Sequence, residues 1–562
     1  MKTTHIFMKT NLIKINIINE YAFILLYTSA FFLILYKVFH IPITHDEVSS
    51  TVAYSKYSVW QIMMYPDAWP NNHILNTVLT KGFLSLLGKE QWVVRLPNLL
   101  SFLLYAIGVY RIIKTLLRND SFFFIPAALL FIANPYLLDF FGLCRGYGMS
   151  CALCILSVGY LITGYKTLNN KNIWLAFILS ILACYANFTL LTFLGATTIL
   201  SWFYFFVLYR ENKSPILKPT LIIVVSCLLY LALISVPIYK MQSTNQFQYW
   251  TSSGFYNDTI LPLIVHTLYG SKSFLFPPFK IISYLVITLL VLNCIFIFIH
   301  FKISHFQLKS LFQPIFVATT IIMLTAGINI MQCSVLHTPN LNGRTALFFY
   351  PLFIAALVAT LGLFSNTKAG LFKKGLAIVI TFICMFHLVD RVNFNSVREW
   401  WFDANTFKVI DYLNKSRNYQ NTSLETNWLF NPSFNFYKYT GKTPWLDLKD
   451  YNKSLVPNTN AEYYYVLAED YKALESKFEP VIKFDNGCWL LKKKPILSEL
   501  QKIAYTIKEK ANYDTLIKNK IELILKDEKW LNLIKGKAKT NKIPLDSMIY
   551  IDAKWMIDTY GK

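Results

Sequence analysis

The sequence predicts a mainly α, polytopic membrane helix bundle with an α/β domain and a helical tail at its C-terminal end. Three observations carry that prediction. Of 562 residues, 55% are hydrophobic and only 15% are charged, where a soluble domain carries about 25%; the mean hydropathy is +0.40. The acids are uneven: residues 1–390 hold 10 of the 31 Asp and Glu, and the rest follow Asp390. Apolar runs of about twenty residues, enough for a spanning helix, recur up to that point.

Taken in order, the runs are 21–39, 93–113, 121–138, 147–165, 173–188, 190–209, 219–238, 281–300, 313–331, 345–364 and 375–390, eleven expected spans. The first is long, has Lys37 near its end and shows no small-residue cleavage pattern, so it reads as an uncleaved helix. The basic residues orient the set. With a cytoplasmic N-terminus, 16 of the 26 Lys and Arg before Asp390 fall in cytoplasmic segments, among them Lys2, Lys9, Lys14, Arg111, Lys114, Arg118, Lys166, Lys171, Arg210, Lys213, Lys218, Lys302, Lys309, Lys368, Lys373 and Lys374. The net charge of +23 therefore reflects membrane orientation, and nucleic-acid binding is not implied. An odd number of spans puts the C-terminal region outside the cytoplasm.

Three outward loops stand out. Residues 40–92 open with His45-Asp46-Glu47, and segments 46–65 and 72–87 have helical patterns suited to the membrane surface. A short loop runs from Asp139 to Arg145. Residues 239–279 carry Tyr249, Trp250, Tyr256, His266 and Tyr269. The expected domains are 1–390 in the membrane, 391–496 as an extracytoplasmic mixed α/β domain, and 497–562 as a helical tail. Within the second, Tyr463 to Leu467 reads as a strand, and Asp485-Asn486-Gly487 as the turn of a hairpin between Val481–Phe484 and Cys488–Leu491. Trp530 and Trp555 are the expected anchors of the tail. Cys151 and Cys154 form a CxxC inside an apolar run, which suits buried small side chains rather than a metal or redox pair.

Acids near a bilayer are costly, so each outward one is a candidate for function. Asp46 and Glu47 follow directly on the first span, at the water boundary. Burial there raises a carboxylate's pKa and makes a general base; a helix cap by Thr44 or Asp46 is the plain alternative. Asp139 is a second acid, or a cap or partner of Arg145. Arg145 and Arg344 suit a lipid phosphate, against snorkelling or interfacial anchoring. His73 shares a helix face with Asn72 and Asn76 and is placed to orient a sugar or an acid.

These elements, in this order, resemble the GT-C superfamily of polyprenyl-phosphate-sugar glycosyltransferases, nearest to its protein mannosyltransferase and aminoarabinose-transferase branches. The carriers of the resemblance are Asp46-Glu47-Val48-Ser49-Ser50 after the first span, Pro70-Asn71-Asn72-His73-Ile74-Leu75, Arg95-Leu96-Pro97, Arg145-Gly146-Tyr147, and Arg344 to Pro351. Asn431-Pro432-Ser433-Phe434-Asn435-Phe436-Tyr437 resembles a segment of the family's C-terminal domains. The chain departs from the family in having Asn71-Asn72-His73 where His-Pro-Pro is commoner.

The resemblance implies a catalytic role for Asp46 with Glu47 beside it and carrier-phosphate binding by Arg344; the residues themselves add Arg145 as a second phosphate ligand and His73, Asp139 and Arg95 as substrate-site candidates. It implies a polyprenyl-phosphate-linked sugar donor, a glycan, lipid or protein acceptor, and a bacterial cell membrane. Some branches use a divalent metal and some do not, and two adjacent acids do not decide it. No ATP or dinucleotide fingerprint is present. A flippase for a lipid-linked sugar is the main alternative; it would show repeats and midplane charges. An O-antigen ligase or polymerase, which releases pyrophosphate, is the other.

Overall fold

The computed structural model describes residues 2–67, 69–117, 122–244, 246, 252–268, 279–365, 370–417, 420–451, 461–494 and 499–560. Arg118, Asp120, Tyr249, Trp250, Tyr269 and Lys368 lie outside them. The chain divides into two compact units, residues 1–474 with 480–491, and residues 475–479 with 492–562.

Among the described residues, nine helices are long and apolar enough to cross a membrane: Ile17–His40, Gln91–Leu116, Gly146–Thr167, Phe188–Asn212, Leu217–Ser243, Phe279–Ile303, Pro314–Leu336, Gly343–Phe364 and Gly370–Arg391. The two remaining expected spans have a different form. One is a broken pair, Phe124–Ile132 and Pro135–Phe141, bent by 65°. The break falls where Pro135 cannot donate a backbone hydrogen bond. Asn134 caps the second piece by accepting from the Leu137 amide, and the loosened Ala133 carbonyl lies 2.9 Å from His387 Nδ1. The other is Asn170–Ala186, whose 17 residues give about 26 Å of helix, short of a hydrocarbon core of about 30 Å. Asn187 stops it, and a 3-10 turn, Phe188–Leu190, restarts the chain.

Gly146–Thr167 is the central helix, with 89% of its most apolar window buried. Its neighbours come close because it meets glycine. A Cβ on Gly108 would sit 2.7 Å from the Leu156 backbone nitrogen, so only glycine permits that helix–helix approach. Cys151 and Cys154 are free and buried in this helix. At one end of the bundle Lys114 pairs with Glu20, and Lys166 donates to the Thr115 carbonyl. These are charges assigned above to the cytoplasmic side.

At the opposite end lie the first loop and the sheet domain. The loop holds a one-turn helix, His45–Val48, a π-helical turn, Ser49–Tyr54, and helices Val59–Met63 and Ile74–Leu87. The sheet has five strands, β1 Thr422–Asn427, β2 Leu446–Tyr451, β3 Tyr463–Leu467, β4 Phe478–Lys483 and β5 Cys488–Lys493, in the order β2-β1-β3-β5-β4. The expected strand β3 is present, and so is the hairpin, whose Gly487 takes φ +81°. Strand β1 runs parallel to both β2 and β3. The crossover from β1 to β2 is the helix Asn431–Tyr439.

The tail is three helices, Glu499–Lys526, Glu528–Asn541 and Leu545–Tyr560, around Ile517, Ile524, Ile534 and Ile549. Trp530 packs on that core as expected. Trp555 does not: it is 54% exposed. Ile549, Ala553 and Ile557, spaced by four, take the inward face of its helix and leave position 555 outside.

Candidate active site

The site grows from the end of the first span. The chain leaves that helix at His40, and Thr44, whose amide donates to the Glu47 side chain, opens the turn that presents Asp46 and Glu47. Adjacent residues on a helix point about 100° apart, and these two meet different worlds.

Glu47 points inward and is fully buried. Its Oε1 accepts from Arg95 Nε at 2.8 Å and from the Cys144 amide at 2.6 Å. Its Oε2 accepts from Arg95 at 2.7 Å and from the Thr44 amide at 2.8 Å. Arg95 spends its other donors on the carbonyls of Val38, Ile41 and Pro42. A carboxylate has about four lone-pair sites, and here all are taken. The pair pins the exit of the first helix to the Gln91–Leu116 helix.

Asp46 points the other way. Arg145 and Arg344 reach its Oδ2 at 3.6 and 3.2 Å, yet no aligned donor completes a hydrogen bond to that atom. It is held by charge rather than by directed bonds. Burial alone would raise its pKa, the expectation from sequence. The two guanidiniums, with His45, outweigh burial and hold it below the ordinary carboxylate value.

Arg145 is fully buried and is fixed by the Asp46 carbonyl and by the Asn71 carbonyl and side chain. The next residue must be glycine: a Cβ on Gly146 would stand 2.0 Å from the Ala186 oxygen and 2.8 Å from the His73 ring. Arg344 follows Gly343, whose φ is +53°. Its guanidinium lies over the Trp400 ring at 5.1 Å, and its second terminal nitrogen reaches Glu399 at 3.5 Å.

Glu399 is a residue that sequence reasoning missed. It stands just beyond the last span, in a stretch with no helical or strand periodicity. It accepts from the Tyr136 hydroxyl, lies 3.6 Å from His266 Nδ1, and shares Arg344 with Asp46. Arg398 Nε is 3.4 Å from the same His266 nitrogen. Burial lowers the pKa of His266; Glu399 opposes that, and Arg398 and Arg344 add to it. Its ring stacks on Tyr136, with centroids 5.2 Å apart. The cluster thus sets three guanidiniums, Arg145, Arg344 and Arg398, against two carboxylates, Asp46 and Glu399.

Two expected members have partners other than those expected. Asp139 pairs with Lys37 of the first span and accepts from the Arg398 amide, so Lys37 takes the place expected of Arg145. The reason is the 65° break, which turns Pro135–Phe141 toward the first helix. His73, Asn72 and Asn76 do not act as one helical face, because the helix starts at Ile74 and His73 is its cap. Asn72 donates to the Ile62 carbonyl, and Asn76 accepts from Asn98.

The sheet domain supports the same turn. Tyr437 accepts from the Ile43 amide at 2.8 Å and donates to Gln91 at 2.5 Å. Asp403 accepts from the His45 amide at 2.7 Å and from the Ser433 hydroxyl at 2.5 Å. Burial pushes the Asp403 carboxyl well up, and those two donors recover only part of that. The segment singled out in the sequence, Asn431 to Tyr437, is therefore the piece that clasps the first loop.

No protein-family model matches the chain, and no curated protein matches it in sequence. Among solved structures, weak matches include ArnT and an archaeal oligosaccharyltransferase. ArnT from Cupriavidus metallidurans in the apo state is 11% identical at a TM-score of 0.37, over 84% of this chain and 99% of that one. The same protein bound to undecaprenyl phosphate is 11% identical at a TM-score of 0.36, over 84% and 98%. The oligosaccharyltransferase of Archaeoglobus fulgidus in the apo form is 12% identical at a TM-score of 0.39, over 80% and 71%.

An apolar cavity of about 320 Å³ lies between helices, and two segments of the cluster contribute to its lining. Leu263, Ile264 and Thr267 line it from the helix that carries His266, and Phe349, Tyr350 and Phe353 from the segment that Arg344 opens. Leu290, Ile322 and Ile383 close it from three further helices.

A divalent cation does not fit beside Asp46. Two guanidiniums already flank that carboxylate and Glu47 has no lone pair to give, whereas such a cation needs several oxygen ligands. Among the described residues no group of three or more His, Cys, Asp or Glu is placed to hold a metal.

Proposed function

We propose that this protein transfers a sugar from a polyprenyl-phosphate carrier to an acceptor hydroxyl at the extracytoplasmic face of a cell membrane. One observation carries the reading: a cluster with one more guanidinium than carboxylate shares two of its segments, the His266 helix and the stretch that follows Arg344, with the lining of an apolar cavity between helices. A polyprenyl phosphodiester has the matching parts, a long apolar tail and a single negative charge. The tail takes the cavity, and the phosphate takes Arg344, with Arg145 and Arg398 near it.

The chemistry follows from that placement. The acceptor oxygen bonds to the anomeric carbon as the bond from that carbon to the phosphate oxygen breaks. The acceptor's proton goes to the Asp46 carboxylate. The leaving carrier phosphate gains a negative charge, which the guanidiniums stabilise in a site partly closed to water. One displacement inverts the anomeric carbon. Charge-only contacts suit Asp46 to this task, because it can turn from the arginines to a hydroxyl without breaking an aligned hydrogen bond.

The orientation, with the C-terminal domain outside the cytoplasm, rests on the lysine- and arginine-bearing loops at the end of the bundle away from Asp46. The deciding experiment is transfer of radiolabelled sugar from purified polyprenyl-phosphate donors by the purified full-length protein. Release of polyprenyl phosphate coupled to a labelled acceptor is expected. Sugar translocation without bond cleavage would overturn the reading in favour of a flippase.

A further inference from the structure

Buried polar atoms nearly always have a hydrogen-bond partner. Arg145 and four side chains of the first loop each keep one that does not. They are Ser50 Oγ, Asn72 Oδ1, His73 Nε2, Thr77 Oγ1 and Arg145 Nε, every one on a residue more than nine-tenths buried.

The chain brings them together. Asn71 binds Arg145, and Asn72 and His73 follow it. The Thr77 amide donates to the His73 carbonyl at 2.8 Å, which sets the two residues one turn apart. The helix that carries Thr77 packs on the π-helical turn that carries Ser50. The His73 ring meets Tyr147 edge-on at 4.8 Å.

The larger side chains are otherwise anchored. Asn72 Nδ2 is bound to Ile62, the terminal nitrogens of Arg145 to Asp46 and Asn71, and the His73 ring to the Ala186 carbonyl. What remains is a fixed set of one amide acceptor, one imidazole nitrogen, one guanidinium donor and two hydroxyls. A ligand that satisfies such a set in a small volume carries several hydroxyl groups, each both donor and acceptor. The five include no carboxylate, and the nearby Asp46 is already matched by two positive charges, Arg145 and Arg344. A cationic sugar is therefore disfavoured.

We infer that these residues form the subsite for the sugar of the donor, and that this sugar is uncharged and rich in hydroxyl groups. The inference rests on the reading of Arg344 and Arg145 as phosphate ligands, and deepens it. Asp46 joins the two halves: Arg145 and Arg344 flank its carboxylate, and Arg145 also binds its carbonyl.

The test uses full-length protein in nanodiscs and three diesters of one polyprenol: hexosyl phosphate, 4-amino-pentosyl phosphate and methyl phosphate. Wild type is expected to bind the hexosyl diester at least tenfold tighter than the methyl diester, and the aminopentosyl diester no tighter than the methyl one. Thr77→Val and Ser50→Ala should each cut the hexosyl advantage by roughly 2–10-fold, the worth of one hydrogen bond, and leave methyl-diester affinity unchanged. Thr77→Val should also raise the melting temperature of the ligand-free protein, because it removes a buried unpaired hydroxyl. Equal binding of hexosyl and methyl diesters by wild type overturns the subsite. So does an unchanged hexosyl advantage in both variants, the result expected if ordered water alone serves these atoms. Failure of wild type to bind any of the three diesters instead defeats the phosphate reading, and the subsite with it.

Discussion

Asp46 and Glu47 are neighbours in the chain and opposites in the structure. Each faces arginine. Glu47 meets Arg95 in a sealed pair with four directed bonds to its oxygens. Asp46 meets Arg145 and Arg344 at 3.6 and 3.2 Å without an aligned bond. The difference teaches that an arginine–carboxylate contact has two uses. Saturated and dry, it is a rivet, since removing one partner strands a buried charge. Unsaturated, it leaves a carboxylate whose contacts can be exchanged without breaking an aligned hydrogen bond.

The sharpest way to break the comparison is to neutralise each acid in turn. Asp46→Asn keeps the shape and the capping ability of the residue, so the protein should remain folded and monodisperse. Its turnover should fall by about 10²–10⁴-fold, the usual cost of losing a general base. Near wild-type transfer by this variant would remove Asp46 from the mechanism. Glu47→Gln should behave in reverse: it leaves Arg95 buried and uncompensated, at a cost of about 3–5 kcal/mol. Thermal unfolding in detergent should show a large drop, while the fraction that stays folded keeps most of its turnover. Equal losses of stability in the two variants would erase the distinction between rivet and working acid.

Arg344→Ala should weaken donor binding by roughly 10–100-fold, in line with a lost hydrogen bond to a charged group, and leave acceptor binding nearly unchanged. Arg344→Lys should restore only part of it, because a point charge lacks the forked geometry. Donor titrations monitored by intrinsic fluorescence would check both, since Trp400 lies under the guanidinium. Unaltered donor affinity in Arg344→Ala would make the residue an interfacial anchor.

The finest test is the pH profile. The folded pKa of Asp46 lies below its ordinary value. Its ionised form is therefore favoured above the unfolded value of about 3.9, and that benefit is lost only as pH falls through the lower, folded value. The acidic limb of kcat/KM should accordingly lie below the ordinary carboxylate range. Removal of Arg344 takes away one of the two guanidiniums and should move the limb upward. A limb unmoved by Arg344→Ala would mean that another group sets it.

Much of this was readable in the chain. Hydropathy located the long helices because burial in lipid requires about twenty apolar residues in a row. Composition showed a shift in acidity near Asp390, where the last long apolar helix ends, and Asp485-Asn486-Gly487 announced its hairpin because only certain residues accept φ above zero. The first-loop acids were visible because a carboxylate at that boundary is costly. Less visible were the broken pair at Pro135 and the short helix 170–186, whose hydropathy matches that of true spans. The outward placement of Trp555 depended on three neighbours of the right spacing.

Sequence alone thus determined which segments are long and apolar and the short list of charged residues at their ends, since both follow from local composition. Only the tertiary structure decided how those charges were partnered. Lys37, not Arg145, meets Asp139; Arg95 seals Glu47; Glu399 arrives 353 positions after Asp46 to share its arginine. Partners in an ion pair are chosen by distance in space, and for residues hundreds of positions apart that distance exists only once the helices have packed.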